Sequence, residues 1–486
     1  MSTPQDLLAI TNACVVTVDA VGTIVNDATI VIGADRKIRA IAAGTIAHNA
    51  TTVIDAKGGI VMPGMINAHT HMGMTLFRGL GDDMNLEDFL GRLMPAEIAV
   101  LSHDAVVVGT ELAALESLLG GITTALDMYY LPDAALEVAA RTGMRIHCGP
   151  NLLESDGPEP LPFAQRMKWA NEWLTDSVKR EQEFSLPSGF DSLNWLSPHS
   201  TYLLGEDHLN QIAALAKQHG AHIHVHASET VGEMSLVSKR HNGRSPIKVL
   251  ADTQLLANAV LAHGVHLDDT DIAMIAKHGA TVTHCPASNY KLASGTARIV
   301  ELHQHGVNIA LGTDGPASGN DLDLWLAMRL AGYVQKTAAS DPTVLPALDI
   351  LRMATINGLR HCTLIISLAH LKLASMPTSS CSMHSHPHLL QCSTRMSPLS
   401  LALAVATYAM LLCMAKLLCA IAWHSLSMPV PLLNEPTNSP QQFWRRSPAT
   451  SVGVWPHLHN RLIGKHCALL PVRRSNIHMR LIQNFE

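Results

Sequence analysis

Ile60-Val61-Met62-Pro63-Gly64-Met65-Ile66-Asn67-Ala68-His69-Thr70-His71 decides how this chain is read, because an apolar run typical of a buried strand ends in two imidazoles one residue apart. Alternate residues of a strand point the same way, so both rings can face one metal ion. Working outward, His226, Glu229, His263 and Asp314 also fall at or just past the ends of later apolar runs. A barrel of parallel strands gathers its chemistry at those ends.

The rhythm around this stretch supports such a barrel. Plausible strands cover 60–66, 122–128, 145–148, 194–197, 222–226, 259–262, 281–284 and 308–312. Between them lie helical patterns, one over 102–119 with Ser102 as cap and Gly120-Gly121 as stop, another over 206–219 stopped by Gly220. Eight strands alternating with helices fit an α/β (β/α)8 TIM barrel, usually about 250 residues and longer with insertions. One insertion is the stiff loop Gly157-Pro158-Glu159-Pro160-Leu161-Pro162 after strand three. Ahead of the barrel, residues 7 to 62 alternate short β-rich runs with turn residues such as Gly22, Asn26 and Gly33, which reads as a small antiparallel sheet. The expected organisation is a β-sandwich part over 1–60, a barrel over 61–358 and an atypical tail over 359–486.

Composition sets limits on partners. The chain has 486 residues, a formal net charge of -6 and 4% aromatics, with no basic stripe or stacking platform before residue 358, so nucleic acid is not an expected partner. The first 16 residues lack a basic n-region and a long apolar stretch, and the nine cysteines include no Cys-x-x-Cys pair, so a cytoplasmic location is expected. The charge is unevenly spread. From Leu359 onward there are 11 Lys+Arg against two acids, Glu435 and Glu486, leaving 23 Lys+Arg and 38 Asp+Glu before it. That break reads as a shifted reading frame, with a divergent C-terminal domain as the rival, and the tail is expected to be disordered or poorly packed. Residues 401–422 are apolar apart from Thr407 and Lys416 and reach the roughly 20 residues of a membrane span. In a frame-shifted tail that is accidental, and no membrane is expected.

A catalytic zinc commonly keeps three protein ligands and an open position for water. His69, His71, His226 and Asp314 can hold such an ion and its water. Glu229, three residues after His226, can shuttle a proton between water and a leaving nitrogen, the bland alternative being a solvated loop glutamate. His263 can orient the water or stabilise developing charge, against a packed histidine bonded to backbone. His222, His224, His266 and His284 have no equally good placement and are read as structural.

The motifs Pro63-Gly64-Met65-Ile66-Asn67-Ala68-His69-Thr70-His71, Met74-Thr75-Leu76-Phe77-Arg78-Gly79-Leu80, His224-Val225-His226-Ala227-Ser228-Glu229, His284-Cys285-Pro286-Ala287-Ser288-Asn289 and Gly312-Thr313-Asp314-Gly315 resemble the amidohydrolase superfamily. Within it they are most similar to the 5'-methylthioadenosine/S-adenosylhomocysteine deaminases and their chlorohydrolase relatives. The resemblance runs from about Leu7 to Gly358. It implies one Zn2+ per subunit, or another divalent metal such as Fe2+, on His69, His71, His226 and Asp314. Glu229, His263 and Asp314 would be catalytic, and Glu97, His199, Glu229 and Asp314 would bind substrate. From the residues alone, Glu97 in Met94-Pro95-Ala96-Glu97 reads equally as a helix-start carboxylate favoured by the dipole. Thr201 in place of a common proline, and Pro316 and Gly319 after Asp314, put substrate choice in question.

The implied activity is hydrolytic deamination of a purine nucleoside such as 5'-methylthioadenosine or S-adenosylhomocysteine. The alternatives are a chlorohydrolase or deaminase acting on a triazine, a pterin or guanine, or a chain inactivated by its tail. The expected partner is a small-molecule substrate, with a homo-oligomer left open.

Overall fold

A computed structural model describes residues 6–34, 38–154, 157–186, 193–359 and the strand 389–392, all within the first of two units into which the chain divides, Met1–Trp423. The small sheet comes first. Strands β1 (Asp6–Val16), β2 (Ile24–Gly33) and β3 (Ile38–Ala43) pair antiparallel in sequence order, while β4 (Thr52–Asp55) and β5 (Ile60–Pro63) lie parallel to β1. Leu8, Ile10, Val15, Ile30, Ile32 and Ile41 form its own apolar cluster.

The run 60–66, expected as one barrel strand, is two. Pro63 closes β5, Gly64 turns the chain, and β6 (Met65–Thr70) opens the barrel. Proline removes a ladder donor, so continuous apolar sequence is broken between two sheets at this point. The remaining barrel strands are β7 (Ile122–Asp127), β8 (Arg145–His147) with its continuation β9 (Asn151–Leu152), β10 (Trp195–Pro198), β11 (His222–Ala227), β12 (Val260–His263), β13 (Thr281–His284) and β14 (Asn308–Leu311). Apart from β9, which was not expected, each lies within a residue or two of its expected place. All their mutual pairings are parallel, β6-β7-β8 in one run and β9 through β14 in the other.

Polar groups close the cylinder between β14 and β6. Asn67 donates to the Thr313 hydroxyl at 2.7 Å and accepts the Thr313 N–H at 3.0 Å, and Asp314 donates its N–H to the His69 carbonyl at 3.1 Å. A parallel bridge between Thr70 and Asp314 completes the seam.

The helices end where their caps dictate. Ser102 accepts the Ala105 N–H and starts His103–Gly120, which stops at Gly121 with φ 92, a left-handed conformation that glycine takes without Cβ strain. The helix Glu206–His219 ends at Gly220 as expected. Strands and helices bury one large core that encloses Trp173, while Trp195 is buried in a smaller cluster with Ile66, Leu126 and Val260.

In the tail, Leu389–Cys392 forms a strand, β15, parallel to β5, where no β pattern was expected. Its Leu389-Leu390-Gln391-Cys392 is a short apolar run of the kind that extends an open sheet edge. The membrane-length stretch 401–422 lies outside the described residues. Among the described residues no single helix is long and apolar enough to cross a membrane, and one bent pair, Leu86–Val100 with His103–Gly120, passes by length and composition only.

Candidate active site

His69 lies in β6 and His71 one residue past its end, and their ring centroids stand 4.8 Å apart. Their Nε2 atoms stand 3.3 and 3.2 Å from one oxygen, Asp314 Oδ1. His226, in β11, brings its Nε2 to 3.2 Å from that of His71. The four expected ligands offer atoms that all lie within 4.8 Å of one another, and all four residues are buried.

The donors around them fit a cation. His71 Nδ1 donates to the Met128 carbonyl and His226 Nδ1 to the His199 carbonyl, so each neutral ring carries its lone pair on Nε2, facing inward. Two such lone pairs 3.2 Å apart repel unless a proton or a metal ion lies between. His69 Nε2 is buried and faces Asp314 Oδ1, while its Nδ1 is held by His224 Nε2 at 2.8 Å. Asp314 is fixed from behind, its Oδ2 accepting the Ser288 and Ser318 hydroxyls at 2.6 and 2.7 Å, which leaves Oδ1 for the site.

The electrostatics tell the same story. Burial pushes the His69 ring down to about 3. Burial opposes a charge on His71 as well, yet the Asp314 carboxylate outweighs it and raises that ring above its usual value. Asp314 is in turn held well below the carboxylate range by the two imidazoles, in spite of burial. Burial thus keeps His69 and His226 neutral, while the ionised Asp314 favours a positive charge beside it.

Glu229 and His263 flank the cluster. Burial, with the Asp314 charge second, pushes the Glu229 carboxyl up to about 8. His263 closes β12 with φ 77, its Nδ1 paired to Asn289 Oδ1 at 2.9 Å and its Nε2 3.7 Å from Glu229 Oε2. Ser228 (φ 57) and Asp314 (φ 60) share that left-handed backbone. Three non-glycine residues held so at strand ends are the backbone strain that active sites carry.

Glu97 corrects one expectation. It sits in the last turn of the helix Leu86–Val100, not at a helix start, so the dipole opposes its charge. It is buried, accepts the Tyr129 hydroxyl at 2.7 Å, and burial pushes it up to about 7. His199 follows β10, partly exposed, with its ring centroid 4.7 Å from that of His226. Thus the structure brings His69, His71, His226, His263, Glu229 and Asp314 together, with His199 against the cluster and Glu97 in the adjoining wall through Tyr129, whose ring centroid is 6.5 Å from that of His71. Of the four histidines read as structural, His224 is the one bonded to a candidate ligand among the described residues.

Tyr129, Ser288, Asn289 and Ser318 escaped the sequence reading as working residues. Tyr129 follows a barrel strand, and that position alone could have flagged it. Ser288 and Asn289 lie within a motif already singled out.

A parallel eight-stranded barrel with histidines and an acid gathered at the carboxyl ends of its strands defines a metal-dependent hydrolase. Residues 60–372 match the model of the Amidohydrolase family, and the chain belongs to that family. It is a hydrolytic enzyme of the kind that acts on C–N bonds, with a divalent metal site.

A 5-methylthioadenosine/S-adenosylhomocysteine deaminase of Thermococcus onnurineus is 42% identical over 312 residues, 64% of this chain and 71% of that protein. A 5'-deoxyadenosine deaminase of Methanothermobacter thermautotrophicus is 36% identical over 67% of this chain and 74% of its own length. Among solved structures, an adenosine deaminase from Xanthomonas campestris with bound zinc superposes with a TM-score of 0.70 at 28% identity, covering 76% of this chain and 83% of that one. An atrazine chlorohydrolase from Arthrobacter aurescens, complexed with zinc and atraton, gives 0.66 at 23% identity over 74% and 83% of the two chains, a likeness of fold alone.

Proposed function

We propose that this enzyme removes the amino group of a purine nucleoside by hydrolysis, with 5'-methylthioadenosine or S-adenosylhomocysteine as substrate and zinc as the ion. The observation that carries the reading is the meeting of four ligand atoms within 4.8 Å beside a buried acid–imidazole pair, Glu229 and His263. The names of the relatives similar to this chain favour the substrate class.

His69, His71, His226 and Asp314 would hold a divalent ion, which would supply the Lewis acidity that makes water nucleophilic near neutral pH. The chain does the rest. Asp314 and His263 take one proton from the water, whose oxygen adds to the ring carbon bearing the amino group. Glu229, kept protonated near neutrality by burial, gives its proton to the adjoining ring nitrogen. It then takes the hydroxyl proton of the adduct and hands it to the departing ammonia, leaving a carbonyl on the ring. The proton held by Asp314 and His263 returns to Glu229 and closes the cycle.

Glu97 accepts hydroxyls of the ribose through the carboxylate oxygen that Tyr129 does not occupy, and His199 lines the substrate side of His226. Two buried thiols, Cys148 and Cys285, suit a reducing compartment such as the cytoplasm.

Ammonia release from methylthioadenosine, S-adenosylhomocysteine, adenosine, guanine and a pterin, alongside chloride release from a chlorotriazine, tests the reading. Purine nucleosides should react fastest, and rates should fall with a chelator and return with added zinc. Chloride release alone would move the assignment to a chlorohydrolase. A folded, zinc-loaded protein silent on every nucleoside would refute it.

A further inference from the structure

The helix Val231–Arg240 begins at Thr230, whose hydroxyl accepts the backbone N–H of Glu233 at 3.1 Å. In a capping box, the carboxylate three residues into the helix turns back to the N–H of the capping residue. Here it reaches past Thr230. One oxygen of Glu233 accepts the Ser228 N–H at 3.1 Å and the other accepts the Glu229 N–H at 2.5 Å. Ser228 is the left-handed residue of this loop, and its carbonyl accepts the N–H groups of Val265 at 2.9 Å and His266 at 2.8 Å. The peptide carrying Glu229 is therefore gripped by a carboxylate on one side and by the loop that follows His263 on the other.

A cap that served the helix alone would not need a buried carboxylate, which is costly to desolvate. Glu233 is nevertheless enclosed, with 2% of its surface exposed. We propose that Glu233 is a positioning residue for the deamination: its two oxygens set where the Glu229 carboxyl stands relative to His263 and the reacting ring. This rests on the reading of Glu229 as the proton shuttle. Glu233 holds the Ser228–Glu229 peptide directly, and its charge also acts on His263 through space, an effect that Glu233→Asp retains.

Glu233→Gln tests it, because an amide offers one acceptor and one N–H2 where two acceptors are needed. The variant should lose about 10- to 100-fold in kcat, with KM and bound metal within about twofold of the parent. In a Glu229→Gln background the same change should add less than about twofold, since the shuttle is already gone. Thr230→Ala removes the cap hydroxyl without touching the Ser228–Glu229 peptide. It should lower the melting temperature and leave kcat within about twofold, which separates helix capping from positioning. Should Glu233→Gln fail to fold, Glu233→Asp keeps the charge but is one methylene short and should lower kcat with metal content intact.

Parent-like kcat in both Glu233 variants, or an undiminished effect in the Glu229→Gln background, overturns the inference alone. Full activity in Glu229→Gln removes the shuttle itself, and the inference with it.

Discussion

Replacing Glu97 with glutamine should stabilise the protein while damaging substrate binding, and the size of the gain should depend on pH. Glu97 titrates near 4.5 in an unfolded chain and near 7 in the fold, because burial outweighs the Tyr129 hydrogen bond. Between those values the native state keeps a proton that the unfolded state has released, so stability falls as pH rises through the window and is lowest above 7. The separation of about 2.5 corresponds to about 3 kcal/mol at 1.36 kcal/mol per pH unit. Glutamine keeps an acceptor for the Tyr129 hydroxyl, carries no charge and nearly matches the volume. Denaturant unfolding of parent and variant from pH 5 to 8 isolates this one group, since every other titration cancels in the difference. The variant's advantage should be about 1 kcal/mol at pH 5 and about 3 kcal/mol at pH 8. In the same variant KM for a nucleoside should rise with kcat little changed. A difference independent of pH, or one that shrinks toward pH 8, refutes the claim that burial makes a charge on Glu97 costly.

Three further outcomes are expected. Asn289→Ala releases His263 Nδ1, so the ring loses its fixed tautomer; kcat should fall about 10- to 100-fold with unchanged metal content, and unaltered turnover would show that Asn289 does not orient it. A Cβ at Gly73 would stand 2.2 Å from the Tyr129 ring, so Gly73→Ala should push Tyr129 off Glu97 and raise KM; a crystal structure with both residues unmoved would contradict this. Translating the nucleotide sequence beyond Gly358 in the other frames should yield an acid-containing, β-rich continuation, and its absence would remove the frame-shift reading of the tail.

The barrel was legible because parallel strands buried on both faces read as apolar runs, and their spacing by capped helices such as Glu206–His219 left few other solutions. The metal ligands were legible because strand ends are where such a fold displays polar side chains. What failed was local ambiguity. The run 60–66 is apolar throughout, and only Pro63 and Gly64 hint that it serves two sheets. Pro95 ahead of Glu97 imitates a helix start, since proline favours the first helical position, yet here it lies inside the helix. The pairs Tyr129–Glu97 and His263–Asn289 join residues 32 and 26 positions apart, beyond what any periodic pattern encodes.

The seam between β6 and β14 joins residues 244 positions apart, and two of the prospective ligands stand on its first side while the acid stands on its last. An ion shared across it would act as a clasp on a ring, tying the opening and closing staves of the cylinder at the price of only local motion. Starvation for metal should therefore be felt as a loosening of the whole wall, with hydrogen exchange quickening first along Met65–Thr70 and Asn308–Leu311 before turnover of the distant strands begins.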